Sequence, residues 1–196
     1  MGKSLKNMKN YLELSNVATI ARRCFVKNGF DGAMTVLGIV IAAYVSSANN
    51  SIWIISAGLG VSVAMGLSGF FGAYITEESE RSITLNKLEK SMLKKLDKSV
   101  LGRAEKFATL WVALIDGLSP FIIAMISLIP FVLSILKIIP ISYAIYSSLG
   151  ITLFILFLLG IYLGRVSKKN IMISGFKMLV AGLILTLISF FFKLAS

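Results

Sequence analysis

Long apolar runs alternate with short basic stretches along this chain. The longest uncharged stretch lies between Asp31 and Glu77. It is 45 residues, broken only by the polar segment Ser46-Ser-Ala-Asn-Asn-Ser51. A membrane span needs about 20 apolar residues, so the stretch predicts a helical hairpin in a bilayer rather than a soluble core. The same pattern predicts five spans, over residues 30–47, 52–75, 107–136, 141–163 and 171–194. The third contains Pro120 and Pro130. Lys177 and Lys193 enclose only 15 uncharged residues, so Lys177 is expected to snorkel to the interface.

Between spans two and three, residues 77–106 carry Leu85, Leu88, Met92 and Leu96 at steps of three and four, which predicts a short cytoplasmic helix. Asn86 with Glu89 three residues later is a capping-box-like start for it. Residues 1–27 form an N-terminal arm in which Leu5, Met8 and Leu12 stand among lysines, the pattern of an interfacial amphipathic helix. The expected fold class is therefore an all-α integral membrane protein, with one five-span membrane domain over residues 28–196. Phe30-Asp31-Gly32 and Ile115-Asp116-Gly117 form a weak internal echo in spans of the same direction, as a duplicated two-helix unit would leave.

Composition agrees with a membrane protein. Hydrophobic residues make up 57% and the mean hydropathy is +0.86, too apolar for an ordinary soluble domain. Histidine is absent and Cys24 is the one cysteine, which excludes an internal disulfide, a His-ligated metal site and a Ser-His-Asp triad. The net charge of +11 does not point to nucleic acid, because the basic residues sit in blocks between apolar spans. No secretory signal peptide is evident, and Lys6 stands where a myristoylation signal needs Ser or Thr.

Those blocks also orient the chain. Eighteen Lys and Arg lie in the N-terminal arm and in the segments after spans two and four; only Lys137 and Lys193 lie opposite. The positive-inside rule then puts the N-terminus in the cytoplasm and the C-terminus outside, as five spans require. The side opposite the cytoplasm is the cell exterior or an organelle lumen.

Candidate chemistry rests on acids and one methionine. An ionisable group inside a membrane span costs roughly 2.5–3.5 kcal/mol on insertion scales, so it usually faces a pathway or a partner. Asp31 at the mouth of span one fits this, although a cap four residues after Lys27 is the plainer reading. Asp116 is ten residues past Lys106, about 15 Å along a helix, and too deep to be a cap. It is a candidate proton or cation site, or a structural partner at the Pro120 break. Met65 lies inside span two. A thioether there is usually packing, but it also suits a borderline metal ion in passage. Glu77, Glu78 and Glu80 follow span two and oppose its macrodipole. Either the helix continues, or Arg81 compensates, or Glu77 and Glu80 gather a divalent cation such as Mn²⁺ or Fe²⁺. Gly66, Gly69 and Gly72 give span two a smooth face for close packing.

These residues resemble a known family. Arg23-Cys-Phe-Val-Lys-Asn-Gly-Phe-Asp31-Gly-Ala-Met-Thr-Val-Leu-Gly38 resembles the first span of the vacuolar iron transporter family. Ala64-Met65-Gly-Leu-Ser-Gly-Phe70 resembles the second. Ala113-Leu-Ile-Asp-Gly-Leu-Ser-Pro-Phe121 with Leu128-Ile-Pro-Phe131 resembles the third. The likeness runs over residues 22–196 and is greatest to a short prokaryotic, archaeal branch. It implies a homodimer with cation passage between subunits near the first spans, and export of Fe²⁺ or Mn²⁺ from the cytoplasm coupled to protons. It assigns the path aspartate to Asp31 and the path methionine to Met65. The metal ions are substrate, and no cofactor is implied. Two departures stand out. The glutamate that many members carry four residues after the methionine is Gly69, and the long Glu- and Met-rich cytoplasmic metal-binding module is largely missing.

The leading expectation is a divalent-cation transporter with the lipid bilayer, a second copy, divalent cations and protons as partners. Asp31, Met65 and Asp116 would serve the transport path, and Asp31, Met65, Glu77 and Glu80 would contact the metal. A non-transporting membrane scaffold or regulatory protein of the same fold is the alternative. A membrane enzyme is disfavoured, because no second acidic pair accompanies Asp31 in the first hairpin.

Overall fold

The computed structural model of the chain describes residues 17–48, 50–93, 95–96 and 99–195. Five helices follow one another: α1 (Val17–Val45), α2 (Ser51–Met92), α3 (Val100–Ile135), α4 (Ile141–Val166) and α5 (Ile171–Ala195). Each is long and apolar enough to cross a membrane, and there is no strand among the described residues. The chain is an all-α, five-span integral membrane protein. The amphipathic arm expected at the N-terminus lies mostly outside the described residues. Its described part, from Val17 on, is helical and continuous with span one.

One expectation needs correction. Residues 77–92 are not a separate helix with a start at Asn86. They are the end of α2, which runs unbroken for 42 residues, about 63 Å. No Gly or Pro interrupts residues 73–92, and their Glu, Lys, Arg and Leu are good helix formers. The helix thus outruns a hydrocarbon core of about 30 Å. Asn86 is a mid-helix residue and caps nothing.

The turns are short because each helix ends abruptly. Ser47, Lys137 and Lys168 take left-handed backbone angles, with φ of 53°, 59° and 53°. In each case the next N–H reaches back five residues: Ala48 to Ala43, Ile138 to Leu133 and Lys169 to Gly164, at 2.9–3.0 Å. This is the Schellman ending, built without its usual glycine. The polar break of the first hairpin is one such turn, and Asn50 Oδ1 then caps α2 by accepting the Ile52 N–H at 2.9 Å. Asn170 Oδ1 caps α5 in the same way through Met172 and Ile173.

Two compact units divide the chain inside α1, α2 and α3. One comprises Val26–Met65 and Ser119–Ser196. Its core packs Val36, Val40 and Ala43 of α1, Ile54 of α2, Ala124, Leu128 and Phe131 of α3, and Ala144 and Ile145 of α4. A second cluster joins Ala33, Leu37 and Ile41 to Ile123, Leu156 and Leu159. Two buried hydroxyls find carbonyls, Ser148 donating across to the Ser127 carbonyl on α3 at 2.6 Å and Thr152 to the Ser148 carbonyl one turn back at 2.7 Å, while the buried Ser127 hydroxyl has no partner among the described residues. Pro120 and Pro130 sit inside α3 without ending it, as buried membrane helices tolerate. The other unit comprises Gly66–Leu118 and the chain up to Phe25. Among its described residues, Val17 of α1 packs with Ala108 and Val112 of α3, backed by Ile20 and Cys24.

Candidate functional site

The second unit holds a charge network at the end of α2. Residues Glu77, Arg81, Leu85 and Glu89 recur every fourth position and form its inward stripe, while Glu78 and Glu80 are exposed. Arg81 Nε donates to Glu77 Oε2 at 3.0 Å. Arg81 Nη1 donates to Glu105 Oε2 on α3. Arg81 Nη2 is also 3.0 Å from Glu77 Oε2, but it is badly aligned for a hydrogen bond, so that contact is electrostatic. The three side chains are only 10–20% exposed. A guanidinium thus sits between two carboxylates. Farther along, Glu89 accepts the Leu96 N–H and closes the turn towards α3.

Nearer the middle of α2, glycine lets α3 approach. A Cβ at Gly117 would lie 2.6 Å from the Gly66 carbonyl oxygen and 2.9 Å from Phe70 Cβ. A Cβ at Gly69 would lie 3.1 Å from the Asp116 carbonyl oxygen and 3.3 Å from its Oδ2. The half-buried Asp116 carboxylate is therefore laid against the backbone of α2, and it accepts a hydrogen bond from the Cys24 thiol. Pro120 has no N–H to offer the Asp116 carbonyl four residues back. Gly72 does not join this face. Nothing lies within 4 Å of its Cβ direction. Three-residue steps turn about 60° short of a full circle each, so Gly72 has drifted well away from Gly66.

The first unit carries Asp31 and Met65. Asp31 is exposed, in the middle of α1, and its carbonyl accepts Thr35 Oγ1 at 2.8 Å. The next residue, Gly32, is buried where a Cβ would come within 2.7 Å of Pro120 Cα. Asp31 thus borders a tight α1–α3 crossing, and its side chain is on the open side. Along that side Thr35, Gly38 and Ala42 continue at helical spacing, and Gly38 has nothing within 4 Å. Met65 is half-buried and continues the packed stripe Ile54, Gly58 and Ser62 of α2.

Of the residues singled out from sequence, Glu77 finds Arg81, as the plainer reading of that cluster has it. Glu80 is left on the surface. Among the described residues no three Asp, Glu or Cys side chains converge in a way that could hold a metal ion. Two participants were not anticipated. Glu105 is 24 positions from Arg81, beyond any local pattern. Cys24, noted only for its solitude, is the hydrogen-bond partner of Asp116.

Such a chain, with five long apolar helices among its described residues, is a multi-pass integral membrane protein. The sequence profile of the VIT family matches residues 92–193. An uncharacterized protein of Methanocaldococcus jannaschii is 36% identical over 176 residues, 88% of each chain. The chain belongs to the VIT family, whose membrane proteins are metal-ion transporters rather than enzymes.

Proposed function

We propose that the protein exports Fe²⁺ or Mn²⁺ from the cytoplasm in exchange for protons, as a homodimer with Asp31 and Met65 in the ion path. The observation that carries this is Asp31. Asp31 stands where α1 passes from its basic half, with Arg22, Arg23 and Lys27, into its apolar half, and an exposed carboxylate at that mouth suits a path or a second copy. The small residues that continue its face, Thr35, Gly38 and Ala42, suit close approach of another helix. Met65 offers a polarizable thioether that a borderline cation tolerates. Asp116 is assigned the proton. Gly69 stands where the resemblance expects a glutamate, and the Asp116 carboxylate lies 3.3 Å from the Cβ such a residue would have.

The test is Mn²⁺ and Fe²⁺ flux into proteoliposomes. Asp31→Asn removes the charge and keeps the shape, and is expected to abolish saturable flux. Equal flux by Asp31→Asn and the native chain would remove Asp31 from the mechanism.

The scaffold alternative has an observation of its own. Arg81 pairs with Glu77 Oε2 and Glu80 is exposed apart from that pair, an arrangement that suits a structural ion pair. Titration calorimetry of purified protein distinguishes the two. Saturable Mn²⁺ binding lost in Asp31→Asn supports transport, and no binding at all supports the scaffold.

A further inference from the structure

Four cations surround the connection between α4 and α5, in a stretch of chain that holds no acid. Arg165, Lys168, Lys169 and Lys177 are all exposed. No Asp or Glu occurs between Asp116 and Ser196. Neither can these cations retreat between the helices. A Cβ at Gly160 would sit 2.5 Å from the Ser174 carbonyl oxygen, and one at Gly164 would sit 2.9 Å from Ile171 Cα. The two backbones touch, so the charges stay on the outer rim.

Lys177 is placed differently from the other three. It lies six residues into α5, about 9 Å along the axis, on a helix whose surface is mostly uncovered. It lines an open groove of about 470 Å³ together with Met172, Ile173, Phe176 and Val180. The groove is apolar apart from this one ammonium. A lysine this near the helix end snorkels to the interface, which carries its ammonium to the level of the lipid headgroups while its stem stays on the apolar wall.

We propose that this groove holds an anionic phospholipid. The phosphate lies on Lys177 and on the Arg165, Lys168 and Lys169 rim, and an acyl chain runs along Met172, Ile173, Phe176 and Val180. Charge complementarity selects this occupant. A symmetric second copy on the same face would bring Lys177 towards Lys177. A zwitterionic lipid fills the groove but brings no net negative charge. Free phosphate neutralises Lys177 but leaves the apolar wall exposed. Basic pockets at the ends of membrane helices take lipid headgroups on these grounds.

Native mass spectrometry of the full chain, delipidated in neutral detergent, tests this directly. Titration with phosphatidylglycerol is expected to give one saturable adduct, and phosphatidylcholine none of comparable affinity. Lys177→Gln should weaken the adduct about fivefold or more, the factor one basic residue supplies near an anionic surface. Lys177→Arg should keep it, which separates loss of charge from loss of fold. Retention of phosphatidylglycerol by Lys177→Gln at the native affinity overturns the proposal. So does equal binding of phosphatidylcholine, displacement of the lipid by millimolar inorganic phosphate, or dimers lost in Lys177→Gln without added lipid.

Discussion

Replacing Arg81 with alanine removes the one cation between Glu77 and Glu105. Breaking a buried ion pair by deleting one partner costs about 3–5 kcal/mol, because the remaining charge stays desolvated. The carboxylates here are about a fifth exposed, so water recovers part of that and the expected loss is about 2–3 kcal/mol. For a chain of this size it corresponds to about 5–10 °C in the thermal midpoint, read by intrinsic fluorescence in detergent. The same deletion leaves two carboxylates facing one vacated position. Mn²⁺ is then expected to stabilise Arg81→Ala by about 2.7 kcal/mol at a concentration 100 times the Kd of the vacated position, over and above whatever stabilisation it gives the native protein. Adding Glu105→Gln to Arg81→Ala should remove most of the Mn²⁺ effect, since one carboxylate cannot bridge. A variant that melts with the native protein, or Mn²⁺ stabilisation equal in both, would refute the reasoning.

Other outcomes follow from the close approaches. Gly117→Ala forces a methyl group within 2.6 Å of the Gly66 carbonyl oxygen, a backbone atom that cannot swing aside. It should destabilise by about 1–3 kcal/mol in the same melt, whereas Gly72→Ala, in open space, should not. Gly38→Leu fills the open side of α1 beside Asp31 and Thr35. If that side meets a second copy, light scattering of the detergent-corrected mass should shift from dimer to monomer without loss of helix content. A retained dimer would place the interface elsewhere.

The apolar runs made the five spans legible, because a bilayer demands length and hydrophobicity, both one-dimensional properties. The turn at Ser46–Ser51 was legible for the same reason. The extent of α2 was not. Its last turns look like a separate amphipathic helix, because their exposed faces are charged and the apolar count falls after Ile75. What keeps them continuous is uninterrupted helix propensity and the Glu77–Arg81 pair. Arg81 was identified as a compensating charge from its four-residue spacing. Its second partner, Glu105, depends on how α3 returns, which no local spacing encodes. Likewise, the value of Gly66 and Gly69 was readable as a small-residue face, but only the structure separates them from Gly72. Asp116 showed itself by depth alone. Its contacts with the α2 backbone and the Cys24 thiol come from helices far apart in sequence.

The central claim is that this chain moves a divalent cation. Purified protein in liposomes loaded with a Mn²⁺-quenched fluorophore, under an imposed proton gradient, tests it most directly. The account predicts saturable quenching that depends on the gradient and disappears in Asp31→Asn. Quenching no faster than in protein-free liposomes, with Mn²⁺ and with Fe²⁺, would contradict it and leave the scaffold reading in its place.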